Sequence, residues 1–562
     1  MRYILEILKD KKLLVISYIL AGIGVALLNA FGARYFQKVL DNFGAHTLNT
    51  RTIMIYGTVL ALTYIISYLD EYPSRKLSQG IYLDFKIKAM KKISVMEYKS
   101  YEGLGMGNLV QRIENGADAG KQIVFDFYFE VFRNLVPTVI FSLIFIANID
   151  KSVMIYILIG YVFVFIVTNI LLKYLYKIKE RILNNEEIFN RYLIRGFMEL
   201  VVFRIHKKFE KEIQNTEQVA ADIVKAKTKV GMIHEAFFAI FALFIALIQV
   251  IIIYISWNND TLSIGSLVAI LSLVDKAYGP IAIFNVLFVQ YKLDTSAFSR
   301  YVDFLNMPED YRLNSGRLVR EIKGGISLEN ITVSYEGKKV LKDIFLDIPK
   351  GTSVAFVGES GAGKSTVVKE IMGLLKPDSG NIYIDQENLD HLNLNSLYDH
   401  ISYIPQEPPI FDGTLRENLI FDKVIPDEEI IKVIDKVELR EFYEKLPKGL
   451  DTEVGERGIM LSGGERQRIA IGRLYFLESK IIILDEATSA MDNVTEEVVI
   501  KKLMTFLKNR TIITIAHRLN TIKKADKVYV FKDGTIAEEG TFQELLSYDS
   551  YFRQLWDVAL EV

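Results

Sequence analysis

The 562-residue chain contains no cysteine. That absence closes off disulfide bonding, thiolate metal centres and cysteine-protease chemistry. It also lacks an excess of either charge: 67 Lys and Arg stand against 69 Asp and Glu, a formal net charge of −2. The broad basic surface that nucleic acid requires is therefore missing, and no nucleic-acid partner is expected. What the chain has instead is apolar residues, which make up 50% of it and are unevenly spread. Roughly the first 300 residues carry long runs rich in Ile, Phe, Tyr and Leu, while the remainder alternates short apolar segments with Gly and charge, as a soluble α/β domain does. At this length at least two domains are expected.

Six apolar stretches, near 13–33, 53–72, 123–147, 153–176, 236–257 and 264–289, meet the requirement of roughly 20 apolar residues for a helix that crosses a bilayer. The first is longer than a signal-peptide core and has no convincing cleavage site, so it is expected to be retained. Lys and Arg crowd the segments after the second and fourth stretches ("PSRKLSQGIYLDFKIKAMKK", "KYLYKIKERILNN", "RIHKKFEKEI"). The short links "NIDKS" and "WNNDTLS" hold almost none. Positive residues stay inside, which puts both long segments and both termini in the cytoplasm. Their charge and helical spacing suggest that the membrane helices continue into the cytosol as rods able to touch a cytosolic domain.

A polar connector, "NMPEDYRLNSGRLVREIKGG", precedes a change of character at Ile326. We therefore expect a membrane domain over 1–312, a linker over 313–325 and a nucleotide-binding domain over 326–562. In that last part "SVAFV" reads as a strand, "GESGAGKST" (Gly358 to Thr366) as a phosphate-binding loop and "VVKEIMGLL" as the helix behind it. Glycines such as Gly358, Gly361 and Gly363 let the backbone N–H groups, with Ser360 and Thr366, wrap phosphates. Lys364 reaches the β and γ oxygens, and Ser365 offers a hydroxyl to Mg2+. The strand "IIILDEATSAMD" ends in Asp485, suited to hold magnesium through water, and Glu486, placed to orient or deprotonate an attacking water. "TIITIAHRL" ends in His517, which is suited to bond the γ-phosphate or hold Glu486, or is an ordinary strand-end histidine. A second anion site is written in "LSGGERQR", where Ser462, Gly463 and Gly464 open a helix whose N–H groups lack internal partners.

Together these motifs resemble an ABC transporter of the exporter type, a half-transporter with six membrane helices fused to one nucleotide-binding domain. "GESGAGKST" is similar to its Walker A loop, "LSGGERQR" to its signature, "IIILDE" to its Walker B, "SAMD" with Asp492 to its D-loop and "IAHR" to its switch histidine. "ISYIPQEPPIFDGTLRENL" resembles the glutamine loop, making Gln406 the sensor of γ-phosphate or magnesium. "ITVSYEGKKVL" resembles the adenine-stacking loop, with Tyr335 as the ring. "TEVGERG" (452–458), "GNLVQRIENGAD" and "AYGPIAIFN" extend the likeness more weakly. Departures are small: Glu465 where Gln is commoner, Met491 where Leu is usual, and "IGRLYF" where small residues are expected.

The resemblance implies an α-helical transmembrane domain with long cytoplasmic extensions plus an α/β P-loop domain. It also implies ATP and Mg2+ as ligands, and a second half-transporter whose signature caps the ATP held by this chain's Walker A loop. With neither its Walker B glutamate and histidine nor its signature degenerate, the partner is read as an identical chain, with a different second subunit as the alternative. The function expected is ATP-driven export of an amphipathic substrate (peptide, lipid or drug-like) by alternating access, in a bacterial plasma membrane. An ATP-gated channel on the same scaffold is the alternative. Two charged clusters, Asp126, Glu130 and Arg133 at helical spacing in the third stretch and Asp275 and Lys276 in the sixth, either line a cargo cavity or pair as structural glue.

Overall fold

The computed structural model describes residues 2–104, 106–198, 200–259, 262–335, 337–455, 459–516 and 522–561. Two compact units emerge: Met1–Ser94 with Leu104–Met307, and Val95–Gly103 with Pro308–Val562.

The apolar runs of the first unit fold into long helical rods: Lys12–Gly44, Thr50–Ile93, a composite rod from Met106 to Ile149, Lys151–Met198, Phe209–Asn259 and Ile264–Leu305. At 1.5 Å per residue, the 44 residues of Thr50–Ile93 reach about 66 Å, twice a hydrocarbon core of roughly 30 Å. The rods therefore run well beyond the lipid, as their charged ends imply. Among the described residues, five rods hold an apolar stretch long enough to span, and the fourth carries a shorter apolar stretch, Lys151–Val164. Aromatic hydroxyls within the bundle find backbone partners, as burial demands. Tyr278 donates to the Ile157 carbonyl (2.8 Å), Tyr161 to Ala277 (3.1 Å) and Tyr301 to Phe85 (2.6 Å).

The third rod departs from expectation. Its middle, Ile123–Leu135, is π-helical between the α-helices Met106–Gln122 and Val136–Ile149. With i→i+5 bonding, the spacing of Asp126, Glu130 and Arg133 no longer defines one α-helical face. Arg133 pairs with buried Asp70, donates to the Tyr18 carbonyl (3.1 Å) and lies 4.0 Å over the Tyr18 ring. Glu130 instead accepts from Asn134.

The second unit carries a six-stranded sheet in the order 535–540, 527–532, 353–358, 511–515, 481–485, 401–404. Its last five strands are parallel, and the first is an antiparallel edge. These central strands are near-continuous apolar runs, the pattern of a parallel sheet covered on both faces. A four-stranded antiparallel sheet begins with Ile326–Tyr335 and Lys338–Ile348. The segment expected as a linker, 313–325, is built into this unit. Just ahead of it buried Arg312 binds Asp310 (2.8 Å), Asp390 (3.1 Å) and the Gly373 carbonyl (2.8 Å), so the unit starts at Pro308. The link between the second and third rods also belongs here. Met96 bridges Glu309, and the short helix Tyr98–Glu102 sets Glu102 2.7 Å from Lys369 on the helix behind the phosphate loop.

Candidate functional site

The site forms at the carboxyl ends of the parallel strands, where loops leave the sheet and ligands of such folds collect. Strand Ser353–Gly358 delivers the chain into the phosphate loop, and the helix Lys364–Ile371 begins directly behind it. Gly358 has φ +148, and a Cβ there would lie 2.3 Å from the Phe531 carbonyl oxygen. Gly363 caps the helix at φ +105. Both positions exclude larger residues for steric reasons alone. Ser360, Gly361, Ser365 and Thr366 fall within this loop and first helical turn, where backbone N–H groups lack intrahelical partners and are suited to receive an anion. Lys364 is buried and donates to the carbonyls of Gly358 (2.7 Å) and Glu359 (2.9 Å). Burial pulls its pKa below the ordinary lysine value, and the nearby Glu486 and Asp485 oppose that pull.

The neighbouring strands bring the acids to the same edge. Ile481–Asp485 ends at Asp485, whose carboxylate accepts from the Tyr403 hydroxyl (3.2 Å). Glu486, at φ +49, leaves the strand with its N–H on the Ile515 carbonyl (3.2 Å). Its carboxylate accepts from the Gln406 amide at 2.7 Å, so Gln406 and Glu486, 80 residues apart in sequence, are brought together. Ser365 hydroxyl, Gln406 carbonyl and Asp485 carboxylate are hard oxygen donors and fit Mg2+. Among the described residues no three His, Cys, Asp or Glu are gathered to hold a metal. His517 lies outside the described residues, as do the last three residues of "TEVGERG".

The signature turn is explained by its capping chemistry. Ser462 caps the helix Gly463–Leu474, accepting from the Glu465 N–H (3.3 Å), while the Glu465 carboxylate accepts from the Ser462 N–H (2.8 Å). Glu465 thus completes a reciprocal capping box. Gly463 and Gly464 lie against Ala490, on the segment that follows the acid strand. Asp492 caps the helix Asn493–Phe506 by accepting from the Thr495 N–H, which lowers its pKa. Tyr335 ends the strand Ile326–Tyr335, with the Lys99 ammonium 5.8 Å from its ring centre.

Sequence reading missed Gln467. Buried in the signature helix, it donates to the Gln406 carbonyl (3.3 Å) and the Ser489 hydroxyl (3.0 Å) and accepts from the Ala490 N–H (2.9 Å). It ties the signature helix, the glutamine segment and the turn after Glu486 into one network. A glutamine one turn inside a helix, on the face its apolar neighbours bury, was the available signal.

In the membrane unit, Asp275 accepts from Gln249 (2.9 Å) and Lys276 donates to the Asn29 carbonyl (3.3 Å). Glu130, Arg133, Asp275 and Lys276 thus each have a neighbour of their own within the bundle.

Residues 341–489 match the family description "ABC transporter", and residues 15–278 match "ABC transporter transmembrane region". The mitochondrial iron-sulfur clusters transporter ATM1 of Candida glabrata is 41% identical over 238 residues, 42% of this chain and 33% of that protein. An uncharacterized ABC transporter ATP-binding protein of Bacillus subtilis is 36% identical over 53% of this chain and 52% of its own length. The matched regions thus span only a third to a half of these relatives. A putative multidrug export ATP-binding/permease protein of Staphylococcus aureus is 27% identical with 99% of both chains covered. The fold is that of a solved bacterial Atm1-family ABC exporter with ATP bound, at TM-score 0.80, 22% identity and 98% coverage of each chain.

Proposed function

Because the chain belongs to the ABC transporter family, joining the membrane and nucleotide-binding regions of a half-transporter, we propose that it hydrolyses ATP to drive export of an amphipathic substrate. The carrying observation is the Glu486–Gln406 bond at the strand edge that also holds Asp485 and the phosphate loop. In this reading, Lys364 exchanges the Gly358 and Glu359 carbonyls for β and γ oxygens of ATP. The loop N–H groups hold the remaining phosphate charge, and Tyr335 stacks on the base. Ser365, Gln406 and Asp485 hold Mg2+, which supplies charge neutralisation on the phosphates. Glu486 orients the water and takes its proton, and Gln406 fixes the carboxylate that does so. His517 bonds the γ-phosphate. Replacing Lys364 with alanine is expected to weaken ATP binding by at least tenfold, as measured by titration with a fluorescent ATP analogue.

Cargo, partner and compartment follow the same reading: a peptide, lipid or drug-like amphipath, a second identical chain and a bacterial plasma membrane. The full-length likeness to a putative multidrug exporter supports export over channel gating. In reconstituted vesicles we expect cargo-stimulated ATPase with ATP-dependent dye accumulation. Single-channel currents in a planar bilayer, without accumulation, would overturn it.

The two anion sites support the twofold dimer. The signature turn of this chain packs on Ala490, and a facing copy would bring its own signature onto the nucleotide held here. Lys364→Ala and Ser462→Arg chains should each be inactive alone, yet mixing them should restore part of the ATPase, because the mixed dimer contains one intact composite site. Absence of recovery in co-purified mixed dimers would mean that the sites are not shared.

A further inference from the structure

The last helix of the chain reaches the phosphate loop. It begins at Tyr551, and its start is pinned by Glu538, whose carboxylate accepts from the backbone N–H groups of Tyr551 (2.7 Å) and Phe552 (3.0 Å). Phe552 and Trp556 then sink into an apolar cluster with Phe542 and with Ala355 and Val357, two residues of the strand that feeds the loop. Anchored on both sides, Tyr551 points at the loop itself. Its hydroxyl donates to the Glu359 carboxylate at 2.9 Å, and the Lys532 ammonium lies 4.2 Å from its ring centre. Burial and the bond to Glu359 raise the Tyr551 pKa, so the phenol remains a donor at neutral pH. Glu359 is also the residue whose carbonyl receives Lys364.

A carboxylate in an anion-binding loop is a liability. Unrestrained, it competes with phosphate for Lys364 and for the loop N–H groups, and it repels the triphosphate directly. We propose that Tyr551 is a positioning residue for nucleotide binding: its hydroxyl holds the Glu359 carboxylate away from the phosphate seat and keeps Lys364 available to ATP. The proposal rests on the nucleotide-site reading above and adds the C-terminal helix to it as the element that sets affinity.

The test uses the full chain in detergent, titrated with a fluorescent ATP analogue, together with ATPase measurements. Tyr551→Phe deletes only the hydroxyl, and it should weaken nucleotide binding about fivefold and raise KM alike, with kcat unchanged. Glu359→Gln should bind at least as tightly as the parent, and adding Tyr551→Phe to it should change nothing further. An unchanged affinity in Tyr551→Phe would overturn the proposal. So would a fivefold loss that persists in the Glu359→Gln background, since Tyr551 would then act through packing alone. If the parent and Lys364→Ala bind the analogue equally, the nucleotide-site reading itself fails, and a loss seen in Tyr551→Phe alone could not be mistaken for that outcome.

Discussion

Glu486→Gln is expected to reduce ATP turnover by about a thousandfold, within the range set by losing a general base, while ATP affinity stays within about threefold of the parent. The substitution is nearly isosteric. The side-chain oxygen of the new amide can still accept from Gln406, as the carboxylate does at 2.7 Å, and the backbone at φ +49 is no harder for Gln than for Glu. Lys364 and the loop N–H groups are untouched, so the phosphate cradle persists. What disappears is the charge that takes a proton from water. With binding intact and hydrolysis stopped, ATP should accumulate between two copies of the chain and hold them together. Size-exclusion chromatography with ATP should show a persistent dimer for Glu486→Gln and an exchanging population for the parent. Parental turnover in this variant would remove Glu486 from the mechanism.

The parts of this architecture legible in the sequence are those governed by short-range rules. The phosphate loop is written in glycines that sterics demand, and Gly358 is fixed by a carbonyl 2.3 Å from where its Cβ would be. The strands are written in apolar runs, and the signature helix in its Ser462–Glu465 capping box, which makes Glu465 a functional cap rather than an oddity. Less legible was anything decided by partners distant in sequence. The π-helical stretch Ile123–Leu135 has the composition of an α-helix. Its Arg133 finds Asp70 on another rod, and Phe127 stacks on Tyr291 at 4.3 Å. The polar connector read as a linker because its charges look solvated, yet Arg312 is buried by acids at 310 and 390. Likewise the expected rods give no hint that Val95–Gly103 belongs to the second unit, where Glu102 pairs with Lys369.

Glu370 is in conflict with its environment in the nucleotide unit, and removing it should stabilise the fold. It lies on the helix Lys364–Ile371 with no exposed surface, and neither carboxyl oxygen has a hydrogen-bond partner. Burial pushes its pKa up to about 8, and Asp378 and Asp390 add to the rise against the opposing pull of Arg312 and Lys99. The folded state therefore keeps a proton that the unfolded chain releases above pH 4.5. Below that pH both states are protonated, and only the cost of a buried carboxyl without hydrogen-bond partners remains. As pH rises toward 8 the unfolded state gains the advantage of ionising, so stability falls through this window and levels off above it. At 1.36 kcal/mol per unit, the loss by pH 7 is on the order of 3 kcal/mol. Leucine has similar bulk and suits the apolar neighbours Val367, Val368 and Ile371. Calorimetry of the full chain in detergent should show the nucleotide unit of Glu370→Leu melting about 10 °C above the parent at pH 8, with the gap shrinking toward pH 5. Glu370→Gln should show the same pH trend with a smaller gain, because its amide is still buried without a partner. A difference that did not change with pH would mean that Glu370 is ionised in the folded chain and paired in a way its surroundings do not provide.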